Sequence, residues 1–206
     1  MKKIALISTC LISFVLTTAC APVKATQVAN YTLTGVNTKR VANQPTKKTI
    51  LVSMPVASPG YQSQNMVYVN KPYQLNAFTH NNWVAPPAKM LMPLIVSSLR
   101  NTNEYHAVVS PPFSGLTDLR LDTQLLELQQ NFSGQESKVE MILEAELVDN
   151  VSNKVLATKH FKVIVPTSAD PYGGVVAINK ATTRIMQQLA IFAAKATPAD
   201  VPSRHS

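Results

Sequence analysis

One stretch of the sequence decides the fold: Val139-Glu140-Met141-Ile142-Leu143-Glu144-Ala145-Glu146-Leu147. Its odd-numbered positions are all apolar, and three of its four even-numbered positions are glutamates. Successive side chains of a β-strand point to opposite faces of a sheet. The alternation therefore predicts a strand with one buried face and one polar face.

Two further strands flank this one along the chain. From Leu119 to Leu125 the pattern again alternates, but the leucines that follow, Leu126 and Leu128, both lie on the other parity. This change of parity predicts a β-bulge near Leu125. A turn-rich stretch at 149–153 then leads into a predicted strand over Val155–Val165.

Shorter strands are predicted earlier in the chain. They cover Ile50–Met54, Met66–Val69, Tyr73–Phe78 and Tyr105–Val109. Asn70-Lys71-Pro72 separates the second from the third and makes them a plausible hairpin. Proline ends the first strand at Pro55.

Helical periodicity predicts two helices. The best pattern runs over Val175–Ala196, after a turn-rich linker at 170–174. An earlier helix is expected from a cap at Asn81-Asn82, through two prolines, to about Leu99. Pro93 lies inside that helix and predicts a kink or a helix in two parts, because proline lacks the N–H donor.

The composition is typical of a chain that folds into one globular domain. The chain has 206 residues, of which 46% are hydrophobic and 15% are charged, so one folded domain is the default expectation. No apolar run reaches the roughly 20 residues that a membrane-spanning helix needs. Two cysteines are too few for a disulfide scaffold.

The N-terminus predicts export and lipid attachment. Residues 1–19 combine a basic start, an apolar run and small residues before a cleavage site, as secretory signal peptides do. Cys20 follows Leu16-Thr17-Thr18-Ala19, which resembles a lipobox, so Cys20 is the predicted lipid attachment site and mature N-terminus. An ordinary cleavage site beside a chance cysteine is the alternative, and Cys10 is a weaker acylation candidate. Ala21, by analogy with other lipoproteins, favours the outer membrane.

The mature chain divides into three predicted parts: a flexible tether at 20–48, a folded domain at 49–197 and a polar tail at 198–206. A coil of that length spans on the order of 30 Å, so the domain is expected to stand off the membrane. Residues 21–103 contain eight basic residues and no acidic one, against nine basic and eleven acidic in 104–206. The basic half suits lipid headgroups or an acidic protein surface. A solvated linker is the plainer alternative.

No catalytic or metal-binding pattern stands out. His80, His106 and His160 are scattered without ligand spacing, and Asp118 and Asp122 would share a face only on a helix. The sequence has no nucleophile elbow and no phosphate-binding glycine loop. We therefore expect no enzyme activity, no metal and no cofactor. Export makes nucleic acid an unsuitable partner.

Several short motifs, in this order, resemble one protein family. They are the lipobox, Tyr31-x-Leu33, Ile50–Pro55, Gly60-Tyr61 before Met66-Val67-Tyr68, Trp83-Val84-Ala85-Pro86-Pro87, Leu121–Leu125 through Phe132, and the final helix. Over nearly all of the mature chain, the sequence is similar to the ABC-type transport auxiliary lipoprotein components. It departs from them at Gln62-Ser63-Gln64-Asn65, where many members carry charged residues.

The resemblance implies a fold and a role. The fold would be a single α+β domain, with two principal helices on a mixed, curved and partly barrel-like sheet. The role would be a noncatalytic docking or receiving subunit at the periplasmic face of the outer membrane. Its partners would be an MCE-domain protein and an ABC transporter that move lipids between membranes. The resemblance also carries an expectation of self-association into a homo-oligomer. An accessory lipoprotein of outer-membrane assembly or secretion is the alternative.

Three aromatic residues are candidates for contact with a partner or a lipid. Trp83 is the leading one, because an indole combines apolar area with one N–H donor. Tyr61 and Tyr68 are weaker candidates for the same reason. The alternative for Trp83 is an anchor for the first helix in the core, and for the tyrosines it is packing within strands.

Overall fold

A computed structural model describes residues 27–35, 38–42 and 45–199 of the chain. The strands and helices of these ranges are, in chain order, β1 (Ala29–Tyr31), β2 (Thr49–Val52), β3 (Val56–Ala57), β4 (Asn65–Lys71), β5 (Gln74–Trp83), α1 (Pro87–Thr102), β6 (Ala107–Val109), β7 (Leu119–Asn131), β8 (Lys138–Asp149), β9 (Lys154–Pro166) and α2 (Pro171–Ala196). A short 3-10 turn spans Pro59–Tyr61. The predicted strand at Tyr105 begins two residues later, at Ala107.

Strand β7 is the spine of the sheet. Along one edge it pairs antiparallel with β8 over its whole length, and β8 pairs in the same way with β9. Along its other edge β7 pairs in parallel with β2, β3 and β4, one after another. Strand β6 lies beyond β2, and β5 and β1 lie beyond β4, so both halves of the chain are joined through β7.

The prediction of a single α+β domain with two helices on a mixed sheet is confirmed, and the sheet is open. Helix α2 packs on β8 and β9, and α1 packs beside α2. The odd-numbered side chains from Val139 to Leu147 are fully buried beneath α2, whereas the glutamates between them face outward. The alternation that predicted β8 therefore also separates the core from the outer face of the sheet.

The predicted β-bulge and hairpin are both confirmed. The register between β7 and β8 shifts between Leu125 and Glu127, which leaves Leu126 as the extra residue. Strands β4 and β5 pair antiparallel, as the prolyl turn between them suggested.

The predicted start of the first helix is wrong. Asn81 and Asn82 belong to β5, which continues to Trp83 because β1 pairs in parallel with residues 81–83. Pro86 has an extended backbone at the N-cap, and the helix begins at Pro87. Pro93 lies inside one continuous helix on its exposed side, so the two-part alternative is not found.

The predicted linker at 170–174 forms the first turn of α2. Asp170 is the N-cap and accepts a hydrogen bond from the Gly173 N–H at 2.8 Å. Hydrogen bonds from the Ser168 hydroxyl and from this N–H lower the pKa of Asp170. Two glycines disguised this turn, since glycine is a poor helix former.

Gly174 is explained by a buried glutamine of β7. The amide nitrogen of Gln130 lies 3.0 Å from the Ser168 carbonyl and 3.2 Å from the Asp170 carbonyl, so Gln130 ties β7 to the start of α2. A Cβ at position 174 would overlap the amide oxygen of Gln130 and lie 3.0 Å from its Cδ. Only glycine leaves room for this amide.

The residues before β2 form a strap against the body, which corrects the predicted flexible tether over its described part. We use "strap" for residues 27–48, of which 36–37 and 43–44 are outside the described ranges. The strap pairs with β5 through β1, and Leu33 inserts into the core with 5% of its surface exposed. The strap has so few buried apolar residues that its sequence shows no periodicity, and its contact with the body could not be predicted from the sequence.

Both helices hold the strap by hydrogen bonds. The Asn179 side chain of α2 accepts from the Thr34 N–H at 2.7 Å and donates to the Thr32 carbonyl at 3.4 Å. At the end of α1, the Thr102 carbonyl accepts from the Val41 N–H at 2.9 Å. The strap therefore runs across both helices before it enters β2.

Gly174→Ala is expected to lower the free energy of unfolding by about 1–3 kcal/mol, because the buried Gln130 amide must move. Helix propensity alone would give the opposite sign. Urea denaturation measures the effect, and Gly134→Ala in the β7–β8 loop, where the nearest atom is 3.8 Å away, is the control. Gly174→Ala should become nearly neutral in a Gln130→Ala background, so equal losses in both backgrounds would contradict this explanation.

Asn179→Ala is expected to loosen the strap by about 1–2 kcal/mol, because the hydrogen bonds of this side chain to Thr32 and Thr34 are lost. Trypsin cleavage after Lys39 and Arg40 should then become roughly 5- to 30-fold faster, since cleavage follows the population of opened strap. Mass spectrometry of timed digests provides the measurement. Asn101→Ala, an exposed asparagine of α1, should leave the rate unchanged. Rapid cleavage in the unmodified protein would instead support a free tether.

Candidate functional site

Trp83, the leading contact candidate, lies in the core. Only 2% of its surface is exposed. Its backbone pairs with Tyr31 of β1, and its backbone N–H donates to the Gln64 carbonyl at 2.8 Å. Trp83 therefore packs the entry to α1 against the sheet and offers almost no surface to a partner.

Tyr68 belongs to an aromatic cluster. Its ring centroid lies 4.5 Å from that of Phe78 and 5.7 Å from that of Phe132. The cluster joins β4, β5 and the end of β7, and Tyr68 is half-buried within it. The geometry assigns Tyr68 to strand packing.

Tyr61 lies on the other side of the sheet. Its hydroxyl donates to the Gln129 side-chain oxygen at 2.7 Å. Burial, together with the negative charges of Glu127 and Glu140, raises the pKa of Tyr61 to about 12, so the hydroxyl stays a neutral donor at physiological pH. Gln129 and Gln130 are consecutive residues of β7, so their side chains point to opposite faces of the sheet. Tyr61 contacts Gln129, whereas Tyr68 pairs with Gln130, and the two tyrosines therefore lie on opposite faces.

The predicted site residues therefore do not form one site. Trp83 is in the core, Tyr68 and Tyr61 lie on opposite faces of the sheet, and Cys20 lies outside the described residues. Within residues 27–35, 38–42 and 45–199, no group of three or more His, Cys, Asp or Glu side chains could hold a metal ion. No helix in these ranges is long and apolar enough to cross a membrane.

A polar network centred on Glu140 covers the outer face of the sheet beside Tyr61. Lys138 forms an ion pair with Glu140 at 2.9 Å, and the side chains of Gln129 and Asn131 donate to its other oxygen at 3.4 and 3.3 Å. Burial disfavours the ionised carboxylate, but the hydrogen bonds from Lys138, Asn131 and Gln129 outweigh this effect and lower the pKa of Glu140.

The strongest surface feature is the separation of charge between the two faces of the molecule. We use "basic face" for the exposed side of the strap, α1 and α2. These three segments contain no Asp or Glu. Their cations are Lys39, Arg40, Lys47, Lys48, Lys89, Arg100, Lys180, Arg184 and Lys195.

The opposite side, the outer face of β7, β8 and β9, contains five carboxylates. They belong to Asp122, Glu127, Glu140, Glu144 and Glu146. Ion pairs of Arg120 with Asp122 and of Lys138 with Glu140 lie on this side, where the His160 side chain also contacts Glu144. We call it the acidic face. The count of charges over residues 104–206 added the carboxylates of this face to the cations of α2. That sum concealed the contribution of α2 to the basic face.

A groove of about 380 Å³ lies on the basic face between the strap and α2. Thr38, Lys39, Arg40 and Val41 line it from the strap, and Gln187, Ala190 and Ile191 line it from α2. Val41 and Ile191 are each 45% exposed. The groove therefore combines aliphatic side chains with two cations.

Comparison with known proteins identifies the family. The family model for ABC-type transport auxiliary lipoprotein components matches residues 31–190, from β1 to the last third of α2. The chain belongs to this family. Among curated protein sequences, none matches it significantly.

Solved structures share the fold of this auxiliary lipoprotein. A protein from Xanthomonas campestris has a TM-score of 0.74 and 21% identity, over 82% of this chain and 96% of that one. A second crystallised protein has a TM-score of 0.61 and 14% identity, over 83% and 99%. A protein from Chlamydia trachomatis has a TM-score of 0.50 and 6% identity, over 73% and 97%. At these identities the likeness shows the fold alone.

Two loops of the auxiliary lipoprotein present aliphatic side chains at one end of the sheet. Leu116, before β7, is 99% exposed, and Val151, after β8, is 81% exposed. The loops are joined by Asn150. Its side chain donates to the Thr117 hydroxyl at 2.8 Å, and its backbone N–H donates to the Asp118 carbonyl at 2.9 Å. The backbone next to both exposed side chains is therefore tied between the two loops.

The Glu140 network predicts a pH dependence. The pKa of Glu140 is lower in the folded protein than its ordinary value of 4.5, so the folded state binds this proton more weakly than the unfolded state does. Its contribution to stability is complete above the ordinary pKa and is lost as the pH falls through the lowered one. Glu140→Gln should therefore destabilise the protein at pH 7 and flatten the fall in stability below pH 4.5.

Urea denaturation at several pH values from neutral to acid measures this effect. Glu136→Gln, in the exposed β7–β8 loop, is the matched control and should follow the unmodified protein. Parallel pH curves for Glu140→Gln and the unmodified protein would show that the network does not favour the ionised carboxylate.

Proposed function

We propose that the protein is a lipid-anchored, noncatalytic docking or receiving subunit of an ABC-type (MCE) lipid transport system, on the periplasmic side of the outer membrane. The observation that carries this proposal is the family match over residues 31–190, which describes an auxiliary component of transport and a lipoprotein. Cys20 after a signal-like segment supplies the attachment site that such a protein needs.

The strap shortens the connection between this anchor and the body. Gln27 is the first described residue, and β1 begins two residues later. The seven steps of chain from Cys20 to Gln27 span at most about 25 Å when fully extended. A body on so short a connection stays beside the bilayer that holds its acyl chains.

The physical need for such a subunit comes from lipid chemistry. Each acyl CH₂ that enters water costs about 0.8 kcal/mol, so lipids cross an aqueous compartment only inside a shielded path or carrier. A protein held beside the outer membrane can position the end of that path. This role requires binding surfaces and no reacting groups.

The test is crosslinking in intact cells that produce the full lipoprotein. After mild crosslinking and purification, mass spectrometry should identify an MCE-domain protein or its ABC transporter as a major crosslinked partner. Cys20→Ala removes the acyl anchor and is expected to abolish membrane attachment and to lower that yield at least tenfold.

Other outcomes would count against the proposal. Recovery of outer-membrane barrel or secretion components without MCE or transporter subunits would favour the assembly alternative. An unchanged membrane fraction for Cys20→Ala would contradict the anchor.

A further inference from the structure

The charge of the basic face is uniform over three segments that are distant in sequence. The strap, α1 and α2 meet through the hydrogen bonds of Asn179 and Thr102, and their exposed charged side chains are all cations. The carboxylates that flank them in sequence are Glu104 after α1 and Asp170 at the start of α2. A ligand that covers the strap and the two helices therefore meets cations, with carboxylates at the margins, where Asp170 lies beside Tyr172 and Val176 and Glu104 lies beside Thr46.

Exposed apolar side chains accompany the cations. Val176, Ile191 and Tyr172 lie on the outer side of α2, and Val41 lies beside Ile191 on the strap. Cations mixed with aliphatic and aromatic side chains suit the interface of a bilayer, where phosphate groups lie directly above acyl chains. The groove between the strap and α2 repeats this combination on the scale of one lipid headgroup.

The position of the anchor supports the same ligand. The chain between Cys20 and Gln27 leads directly into the strap, which lies on the basic face. The acidic face holds five carboxylates against the three cations Arg120, Lys138 and Lys162, so its charge gives an anionic bilayer no net attraction. The short connection to the anchor and the opposite charges of the two faces therefore favour an orientation with the basic face toward the bilayer.

We propose that the basic face binds the surface of an anionic phospholipid bilayer, with the groove lined by Lys39, Arg40, Val41 and Ile191 receiving a headgroup. This inference rests on the lipid anchor proposed above and is independent of the transport partner. The acidic face then points away from the bilayer.

Fluorescence of the purified, lipidated protein in vesicles tests this orientation. The acylated Cys20 would be the one cysteine of the mature chain, so a cysteine introduced by Ile191→Cys can be labelled selectively with an environment-sensitive dye. Thr158→Cys, exposed on β9 of the acidic face, is the matched control. In vesicles of phosphatidylethanolamine and phosphatidylglycerol, the dye at 191 should shift to the blue and be quenched by spin-labelled lipid, whereas the dye at 158 should not.

Charge variants separate this contact from the effect of the acyl anchor. Lys39→Gln/Arg40→Gln should lower the ratio of bound to unbound basic face by roughly fivefold for each cation removed. Lys180→Gln/Arg184→Gln should do the same without altering the strap. Lys154→Gln/Lys162→Gln removes equal charge from β9 and should have no such effect.

Salt and lipid composition provide the remaining arms. The blue shift should disappear in vesicles of phosphatidylcholine alone and weaken strongly at 0.5 M salt, because screening shortens the range of the attraction. Equal signals at 191 and 158 in phosphatidylglycerol vesicles would overturn the inference. A shift at 191 that appears only when an acidic partner protein is added would assign the face to protein binding. Neither failure would affect the crosslinking test of the proposed function, because that test measures which proteins bind in cells and not which face meets the bilayer.

Discussion

The pairing of β7 on both edges is the constraint on which the rest of the structure depends. On one edge β8 follows it residue for residue, and on the other β2, β3 and β4 share its length. Because backbone groups buried in a sheet must be paired, the two halves of the chain reach a common core only through this strand. The two helices then cover the inner face, and Gln130 ties the end of β7 to the start of α2.

The parts of the fold that depend on local pattern were predictable from the sequence. The alternation in β8, the parity change near Leu125 and the periodicity of α2 each specify their own element. The errors concern contacts between distant residues. Asn81 and Asn82 read as a helix cap because their pairing with β1 is invisible locally, and Gly174 read as a linker because its reason is the Gln130 side chain.

The candidate site was harder to predict than the fold. A conspicuous aromatic residue such as Trp83 signals burial as readily as contact, and here burial accounts for it. The charge pattern was visible in the sequence, but a division at residue 104 averaged α2 with the outer face of the sheet. Layers, rather than sequence halves, are the units over which surface charge has to be summed. The strap adds its cations to the same layer as α2 because Asn179 and Thr102 hold it against the two helices.

The lack of carboxylates on the helices is not explained by the needs of the fold. Acidic residues at a helix N-terminus interact favourably with the helix dipole, yet α1 has none there, and α2 has its N-cap Asp170 but none in the first turn. Glutamates four residues from lysine or arginine would add roughly 0.2–0.5 kcal/mol per pair, yet α2 has three cations and no carboxylate in 26 residues. Helix stability alone would favour both changes. The bilayer contact proposed above would select against both, because carboxylates on the helices or the strap would weaken the attraction to anionic headgroups.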